Sequence, residues 1–314
     1  MTGAAHEQGV HSALYEKGQK SVSVTAELGI IGGSGLYALE GFEASDELTI
    51  STPYGEPSDP VRVGTLAGRR VAFISRHGRG HRLTPSEVPY AANIYALKSL
   101  GVTHLLSVSA VGSLQEEIPP RSFVVPSDLI DRTIGRRRSF FGEGIVAHVS
   151  MTPPFCPSFS DLVASVAEEA GSLPVSRGGT YVCIEGPQFS TRAESETFRS
   201  WGASIIGMTA LPEARLAREA ELCYACLAMV TDYDVWRDSE AVSVELVVAN
   251  LNAMTSAVAA IIPALAGRLP VACESGCATA LDDAVITAPV AWPEGVEERL
   301  GPIGARFFAK RGSG

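Results

Sequence analysis

Tyr181–Trp236 reads YVCIEGPQFSTRAESETFRSWGASIIGMTALPEARLAREAELCYACLAMVTDYDVW, and its punctuation decides the fold class. An apolar run, Tyr181 to Ile184, stops at Glu185-Gly186-Pro187, and RAESETFRSWG then reads as a helix. SIIGMT is a second short apolar run, LPEARLAREAEL a second helix with interleaved charges, and CYACLAMVT a third apolar run that reads as a central strand. Strands alternating with helices imply a mainly parallel or mixed sheet covered on both faces. In doubly wound sheets ligands gather at the carboxyl ends of strands. Asp232 and Asp234 follow the third run directly, and a carboxylate beside a buried strand end is costly without a donor. The residues alone leave two readings of them open, a ligand contact and an internal salt bridge.

The same grammar repeats on the N-terminal side. Residues 27–42, ELGIIGGSGLYALEGF, pair a short apolar strand with a glycine-rich turn. Gly32, Gly33 and Gly35 let the backbone turn its N–H groups toward an anion, and Ser34 adds a hydroxyl. Gly33-x-Gly35-x-x-Ala38 also fits a dinucleotide fingerprint, but that motif needs a long helix next and Gly41 interrupts. A plain structural turn is the third reading. VRVGTLAGRRVAFISRHGRGH (residues 61–81) reads as two strands around Ala67-Gly68, the second ending on Arg76-His77 with Arg79, His81 and Arg82 close behind. Arginine's planar fork and a histidine donor suit phosphate, against the alternative of a solvated basic loop.

PYAANIYALKSLG then reads as a helix stopped by Gly101, and HLLSVSAVGSL (residues 104–114) as a central parallel strand ending in small residues. Small residues there fit either a tight turn or a ligand near the backbone of Ser109 and Ala110. A strand over residues 123–126 leads into a polar loop where Arg136, Arg137 and Arg138 are expected to be solvated. His148 sits in a loop with three prolines, and SFSDLVASVAEEAG reads as an amphipathic helix with Ser158 or Ser160 as its cap. A long apolar helix follows Trp236, and after Gly267 regular period is lost. Cys223 and Cys226, three apart on a strand, face opposite ways and read as small buried hydrophobes. Cys273-x-x-x-Cys277 reads as too isolated for a metal site.

Composition narrows the function. The chain has 314 residues, a formal charge of −10, 31 glycines and six cysteines. An acidic chain without a basic excess is not a general nucleic-acid binder, so a bound anion needs a local site. No uninterrupted apolar stretch approaches ~20 residues, so no membrane span is expected. Residues 1–26 lack an apolar core and read as a mobile tail rather than a signal peptide. Six cysteines without a regular framework suit the reducing cytoplasm.

Taken in order, GIIGGSGL, RHGRGH, PYAANIYALKSLG, SAVGSLQEEIPP, IEGPQFSTRAES, GMTALPEA and TDYDVW closely resemble the 5′-methylthioadenosine phosphorylases, trimeric members of the purine nucleoside phosphorylase family. The resemblance runs from about Leu28 to Leu265. It implies an α/β fold of that family, with a twisted, partly barrel-like mixed central sheet flanked by helices on both faces. Residues 27–314 then form a single domain, with 267–314 a divergent C-terminal segment. It also implies a homotrimer that cleaves methylthioadenosine with phosphate as co-substrate and neither metal nor organic cofactor.

Carried over by position, the resemblance implies that phosphate meets Ser34, Arg76, His77, Ser109, the Ala110 backbone and Thr209. Met208 would lie against the ribose, Phe189 on the base and Ser190 near it. Asp232 and Asp234 would face N7 and the 6-amino edge of adenine, with Asp232 and His77 as catalytic groups. Val244 and Val247 would line the 5′ pocket, joined by His148 from a neighbouring subunit and a residue near the C-terminus, for which Val290 to Trp292 is the nearest candidate. Gly207 stands where many relatives carry Asn. Rival expectations are a phosphorylase for 5′-halo-5′-deoxyadenosines, a broader purine nucleoside phosphorylase, a nicotinamide-dependent oxidoreductase on the Gly33 turn, and a silent nucleoside-binding module.

Overall fold

The computed structural model describes residues 25–33, 42–237 and 242–312. Ser34, Gly35, Ala38 and Gly41, on which the glycine-turn readings rest, lie outside the described residues, as does most of the expected tail.

The strands are β1 (Leu28–Gly32), β2 (Glu43–Leu48), β3 (Val61–Leu66), β4 (Arg69–Ser75), β5 (His104–Ser113), β6 (Phe123–Val125), β7 (Asp128–Arg132), β8 (Val175–Arg177), β9 (Thr180–Ile184), β10 (Ile205–Gly207) and β11 (Cys223–Asp232). The helices are α1 (Tyr90–Ser99), α2 (Pro157–Ala170), α3 (Arg192–Ser200), α4 (Ala210–Glu219), α5 (Val244–Gly267), α6 (Val296–Leu300) and α7 (Ala305–Gly312). The strands form one mixed sheet with the path β2-β3-β4-β1-β5-β10-β9-β7, while β11 joins β5 to β6 and β6 carries β8. The sheet forks at β5. Its first residues pair in parallel with β1, its last two pair antiparallel with β10, and β11 runs parallel along its length.

Strand alternation divides the core between two faces. On β11, Tyr224, Cys226, Ala228 and Val230 join a cluster with α1 and α4. Cys223, Ala225, Leu227 and Met229 join another with α2 and α5. A period-2 strand buried on both sides has to be apolar throughout, which is why CYACLAMVT shows no polar alternation. The α/β fold with helices on both faces is therefore as expected.

Three local expectations change. The stretch after β6 is not a loop: DLIDR forms β7, paired in parallel with β9 at the sheet's end. An outermost strand buries little, so its sequence stays polar and hides its conformation. Helix α2 is capped at Cys156 with Pro157 in its first turn, rather than at Ser158 or Ser160. Beyond Gly267 the chain is short helical turns ending in α6, the turn Gly301–Ile303 and α7, which together pack Leu300, Ile303, Phe307 and Phe308 into the α1/α4 core.

Helix α5, at 24 residues, is long and apolar enough to cross a membrane by length and composition. Its C-terminal half is instead buried: Met254, Val258, Ile261, Ile262 and Leu265 pack beside α2 and β11.

Candidate active site

Four parallel strands, β1, β4, β5 and β11, end on one side of the sheet. Strand β10 runs antiparallel to β5, with Ile206 opposite Gly112, so its carboxyl end heads back toward Ala110. Register thus brings Arg76-His77, Ser109-Ala110, Met208-Thr209 and Asp232 to one crevice.

Arg76 follows β4, and its backbone N–H donates to Gly32 O at 2.9 Å. Its guanidinium is fully buried. Nε and Nη2 donate to Glu213 at 3.0 and 3.2 Å, Nη2 also to Ser107 Oγ at 2.7 Å, and Nη1 to Val108 O at 3.0 Å. The fork that sequence reading gave wholly to phosphate is therefore spent mainly on the protein. What remains for an anion is one Nη1 hydrogen and a charge shared with Glu213. That pair is a missed element of the site, since nothing in LPEARLAREAEL marks one glutamate as buried. Glu213→Gln leaves the buried guanidinium uncompensated, and a loss of about 3–5 kcal/mol in urea unfolding is expected.

His77 is half-buried and stacks on His81 at 4.3 Å. Its Nδ1 lies 2.8 Å from Leu83 O, which fixes the tautomer with the proton on Nδ1. Burial first, then the Arg76 charge, pushes its pKa down to about 4, so the ring is neutral at pH 7. Nε2 then presents a lone pair. His77 was expected as a second donor; here it is an acceptor, matched to the single P–OH of a phosphate dianion.

Val108 O points at Arg76, and residues two apart on a strand present backbone groups to the same edge. The Ala110 N–H therefore lies on the edge of β5 between the end of β1 and the start of β10. Ser109 is buried, with Oγ 3.8 Å from Cys226 Sγ. Thr209 is buried at the start of α4, where its side chain makes no capping bond. Arg136, expected to be solvated, is buried: Nη1 donates to Met208 O and Leu211 O at 2.6 Å each, and Nη2 to Glu185 O at 2.7 Å. It ties the loop after β9 to the loop after β10 and so positions Met208, and its charge adds to that of Arg76 in holding the His77 pKa down.

Gly207 has a physical reason. A Cβ there would lie 2.0 Å from the Tyr181 hydroxyl, so the buried tyrosine occupies the space that a longer side chain needs. Gly112 serves Asp232 in the same way, since a Cβ there would meet Asp232 Oδ1 at 2.8 Å.

The two carboxylates sit side by side and buried. Asp232 Oδ1 accepts the Asp234 N–H at 2.8 Å, and Oδ2 accepts the Thr231 hydroxyl at 2.7 Å. Asp234 holds a left-handed backbone (φ 53°), and burial, with the Asp232 charge adding to it, pushes its carboxyl up to about 6. Asp234 Oδ2 and Ser190 Oγ are buried without a close hydrogen-bond partner among the described residues, and so is Ser195 Oγ, whose hydroxyl acts on the Asp234 carboxyl and offsets part of its upward shift. A buried polar atom left unpaired in native structure calls for an explanation, and a bound ligand is one. Phe189, beside Ser190, is 44% exposed in a loop whose exit is pinned by a Thr191–Glu194 capping box.

A family model described as the phosphorylase superfamily matches residues 27–266. The chain belongs to that superfamily. It is 50% identical over 290 residues to the S-methyl-5′-thioadenosine phosphorylase of Koribacter versatilis, covering 92% of this chain and 99% of that one. It is 51% identical over 287 residues to the protein of the same name from Chloroflexus aurantiacus, covering 91% and 99%. Among solved structures, a methylthioadenosine phosphorylase from an Antarctic soil metagenomic library superposes with a TM-score of 0.83 at 48% identity, covering 89% of this chain and 99% of that chain. The Schistosoma mansoni methylthioadenosine phosphorylase in complex with adenine gives 0.74 at 36% identity, covering 77% and 91%. The 8% of this chain outside the Koribacter match is shorter than the segment after residue 266, so the likeness to these phosphorylases runs into that segment.

The 5′-pocket residues are placed less completely. Val247 lies one turn before Asn250, whose Nδ2 donates to Thr231 O at 2.7 Å, so this end of α5 adjoins the carboxylates. Val244 is 63% exposed. His148 is exposed on a ribbon joined to the C-terminal segment, its N–H donating to Ala284 O at 2.8 Å and Val146 O accepting from Ile286 N–H at 3.0 Å. Trp292 instead packs on Phe307 and Phe308.

Proposed function

We propose that the chain is a pentosyltransferase that cleaves 5′-methylthioadenosine with phosphate, giving adenine and 5-methylthioribose 1-phosphate. The observation that carries this reading is the pair of buried carboxyls at the end of β11, one with an unpaired acceptor, beside an anion crevice at the ends of β4 and β5. The names of the relatives support it. Phosphate acts as nucleophile and needs no organic cofactor beside it.

The chemistry accounts for each group. Breaking an N-glycosidic bond builds positive charge on the ribose and negative charge on the departing purine. The Ala110 N–H, the Ser109 and Thr209 hydroxyls and the last Arg76 hydrogen hold phosphate oxygens, while His77 Nε2 accepts the P–OH. Ser34 is carried in this set on the resemblance. Holding the nucleophile against C1′ removes much of the entropic barrier, and its charge stabilises the cationic sugar. Phe189 covers the base, Met208 the ribose, and the Asp232–Asp234 pair receives N7 and the 6-amino group.

Adenine should appear when the protein meets methylthioadenosine plus phosphate, and only then. Adenine release without phosphate, or none with it, would sink the reading. Running 5′-chloro-5′-deoxyadenosine and adenosine alongside tells which 5′ group the Val244–Val247 end accepts.

The working unit is proposed to be a homotrimer. Exposed apolar side chains support it: Ile286 is 65% exposed and Val146 41%, on the same ribbon as His148, and Val290, in the helical turn Pro289–Ala291 that follows, is 96% exposed. Burying this ribbon against the next subunit would bring His148 of the partner subunit toward the 5′ group. Ile286→Asp with Val146→Asp should lower the mass in light scattering from three chains to one and raise KM for methylthioadenosine about tenfold or more. A trimer surviving in that variant would exclude this face.

A further inference from the structure

The cysteines carry chemistry that the active site does not use. Cys223 and Cys226 face opposite sides of β11 as expected, but Cys273 and Cys277 are not isolated. The turn after α5 brings them to Cys156, at the cap of α2, and Cys223, at the start of β11. The four Sγ atoms all lie within 4.8 Å of one another, and Cys156 Sγ is 3.8 Å from Cys273 Sγ. Three of the four residues are buried and none is in a disulfide.

We infer that Cys156, Cys223, Cys273 and Cys277 form a structural tetrathiolate site for one zinc ion. The distances argue for a metal. A disulfide needs about 2.05 Å between sulfurs. A tetrahedron with Zn–S near 2.3 Å has sulfur–sulfur edges of about 3.8 Å, the separation found between Cys156 and Cys273. Thiolate clusters also need donors around them. The Ser275 N–H donates to Cys273 Sγ at 3.3 Å, and Arg218 Nη1 to Cys277 Sγ at 3.4 Å. Ser158 Oγ lies 3.4 Å from Cys156 Sγ and 2.9 Å from Ser275 Oγ, linking the two segments that supply the ligands. The Arg218 charge offsets part of the double negative charge of a zinc tetrathiolate.

The placement gives the role. Cys223 and Asp232 are the two ends of β11, so ~30 Å separates the cluster from the carboxylates at ~3.3 Å per residue. Four protein ligands leave no open position, which is the pattern of a structural site. The ion would pin the C-terminal segment to α2 and β11. Each thiol that binds releases its proton to solvent, and no electron changes hands.

The test is metal content of the full-length protein purified under reductant without chelator. About one zinc per chain is expected. After stripping with a mercurial and a chelator, Co²⁺ should produce thiolate charge-transfer and tetrahedral d–d bands that saturate at one equivalent, and Zn²⁺ should bleach them. Cys273→Ser should lose the bands and Cys226→Ser should keep them; because a ligand variant can misfold, the wild-type cobalt titration stands as an independent arm. No cobalt bands in the stripped wild type would overturn the site. So would a mass four hydrogens below the reduced chain without metal, which would show two disulfides instead.

Discussion

Asp232→Asn is expected to lower turnover of methylthioadenosine by about 10²–10⁴-fold, the range of a lost general acid, with little change in stability. The surroundings of Asp232 make the test clean. Its two oxygens accept the Asp234 N–H and the Thr231 hydroxyl. An asparagine oxygen can keep the first bond. Its NH₂ can donate to Thr231 Oγ1, whose hydrogen then turns to Val111 O, already 3.2 Å away. The local network survives while the transferable proton does not.

The proton's origin follows from the pair. In the unliganded chain the raised group is Asp234, at about 6, so roughly one-tenth of the molecules carry its proton at pH 7. Its pKa in the fold lies above the ordinary value, so its contribution to stability is full below that value and fades as pH rises through about 6. When adenine's 6-amino group donates to Asp234, it favours the ionised form there and so favours release of that proton toward N7. kcat/KM should therefore decline as pH rises above about 6 and lose that limb in Asp234→Asn. A methylthio nucleoside whose base is already cationic, such as an N7-alkylated one, needs no proton and should be cleaved by Asp232→Asn at near wild-type rate. Near-normal turnover of methylthioadenosine itself in that variant would remove the general-acid role.

The sheet was legible because its central strands are buried on both faces, so HLLSVSAVGSL and CYACLAMVT had to be continuous apolar runs. The positions of Arg76, His77, Ser109 and Asp232 followed, since strand ends collect ligands in such sheets. What the residues did there was less legible. Arg76 looks like a phosphate fork until Glu213, 137 positions away, and groups on β1 and β5 take most of its donors. Arg136 reads as one of three solvated arginines, yet carbonyls from two distant loops enclose it. His77 reads as a donor, and only the Leu83 carbonyl turns it into an acceptor. The four cysteines lie on three separate segments, and no local spacing announces them. Arg76, Arg136 and the cysteines depend on partners far along the chain, which local pattern does not encode, and His77 on a loop turn six residues away.

Discrimination against 6-oxopurines is expected to exceed ~10⁴-fold in kcat/KM, comparing methylthioadenosine with methylthioinosine. Asp234 Oδ2 is a buried acceptor that makes no close hydrogen bond among the described residues, the Ser195 hydroxyl being its near neighbour. A 6-amino group supplies the missing hydrogen. A 6-oxo group sets lone pair against lone pair in a place that water does not reach, and the buried carboxylate loses the donor that the 6-amino group supplies. One escape exists: the protonated form of Asp234 can donate to a 6-oxo oxygen. That form is the minority above about pH 6, and using its proton for recognition leaves none for N7. The discrimination should thus narrow as pH falls toward 6 and be widest at alkaline pH. Asp234→Asn, which offers an amide hydrogen, should gain methylthioinosine cleavage relative to methylthioadenosine by about 10²-fold or more. Comparable rates on the two wild-type substrates at pH 7.5 would show that the carboxylates do not read the 6-position.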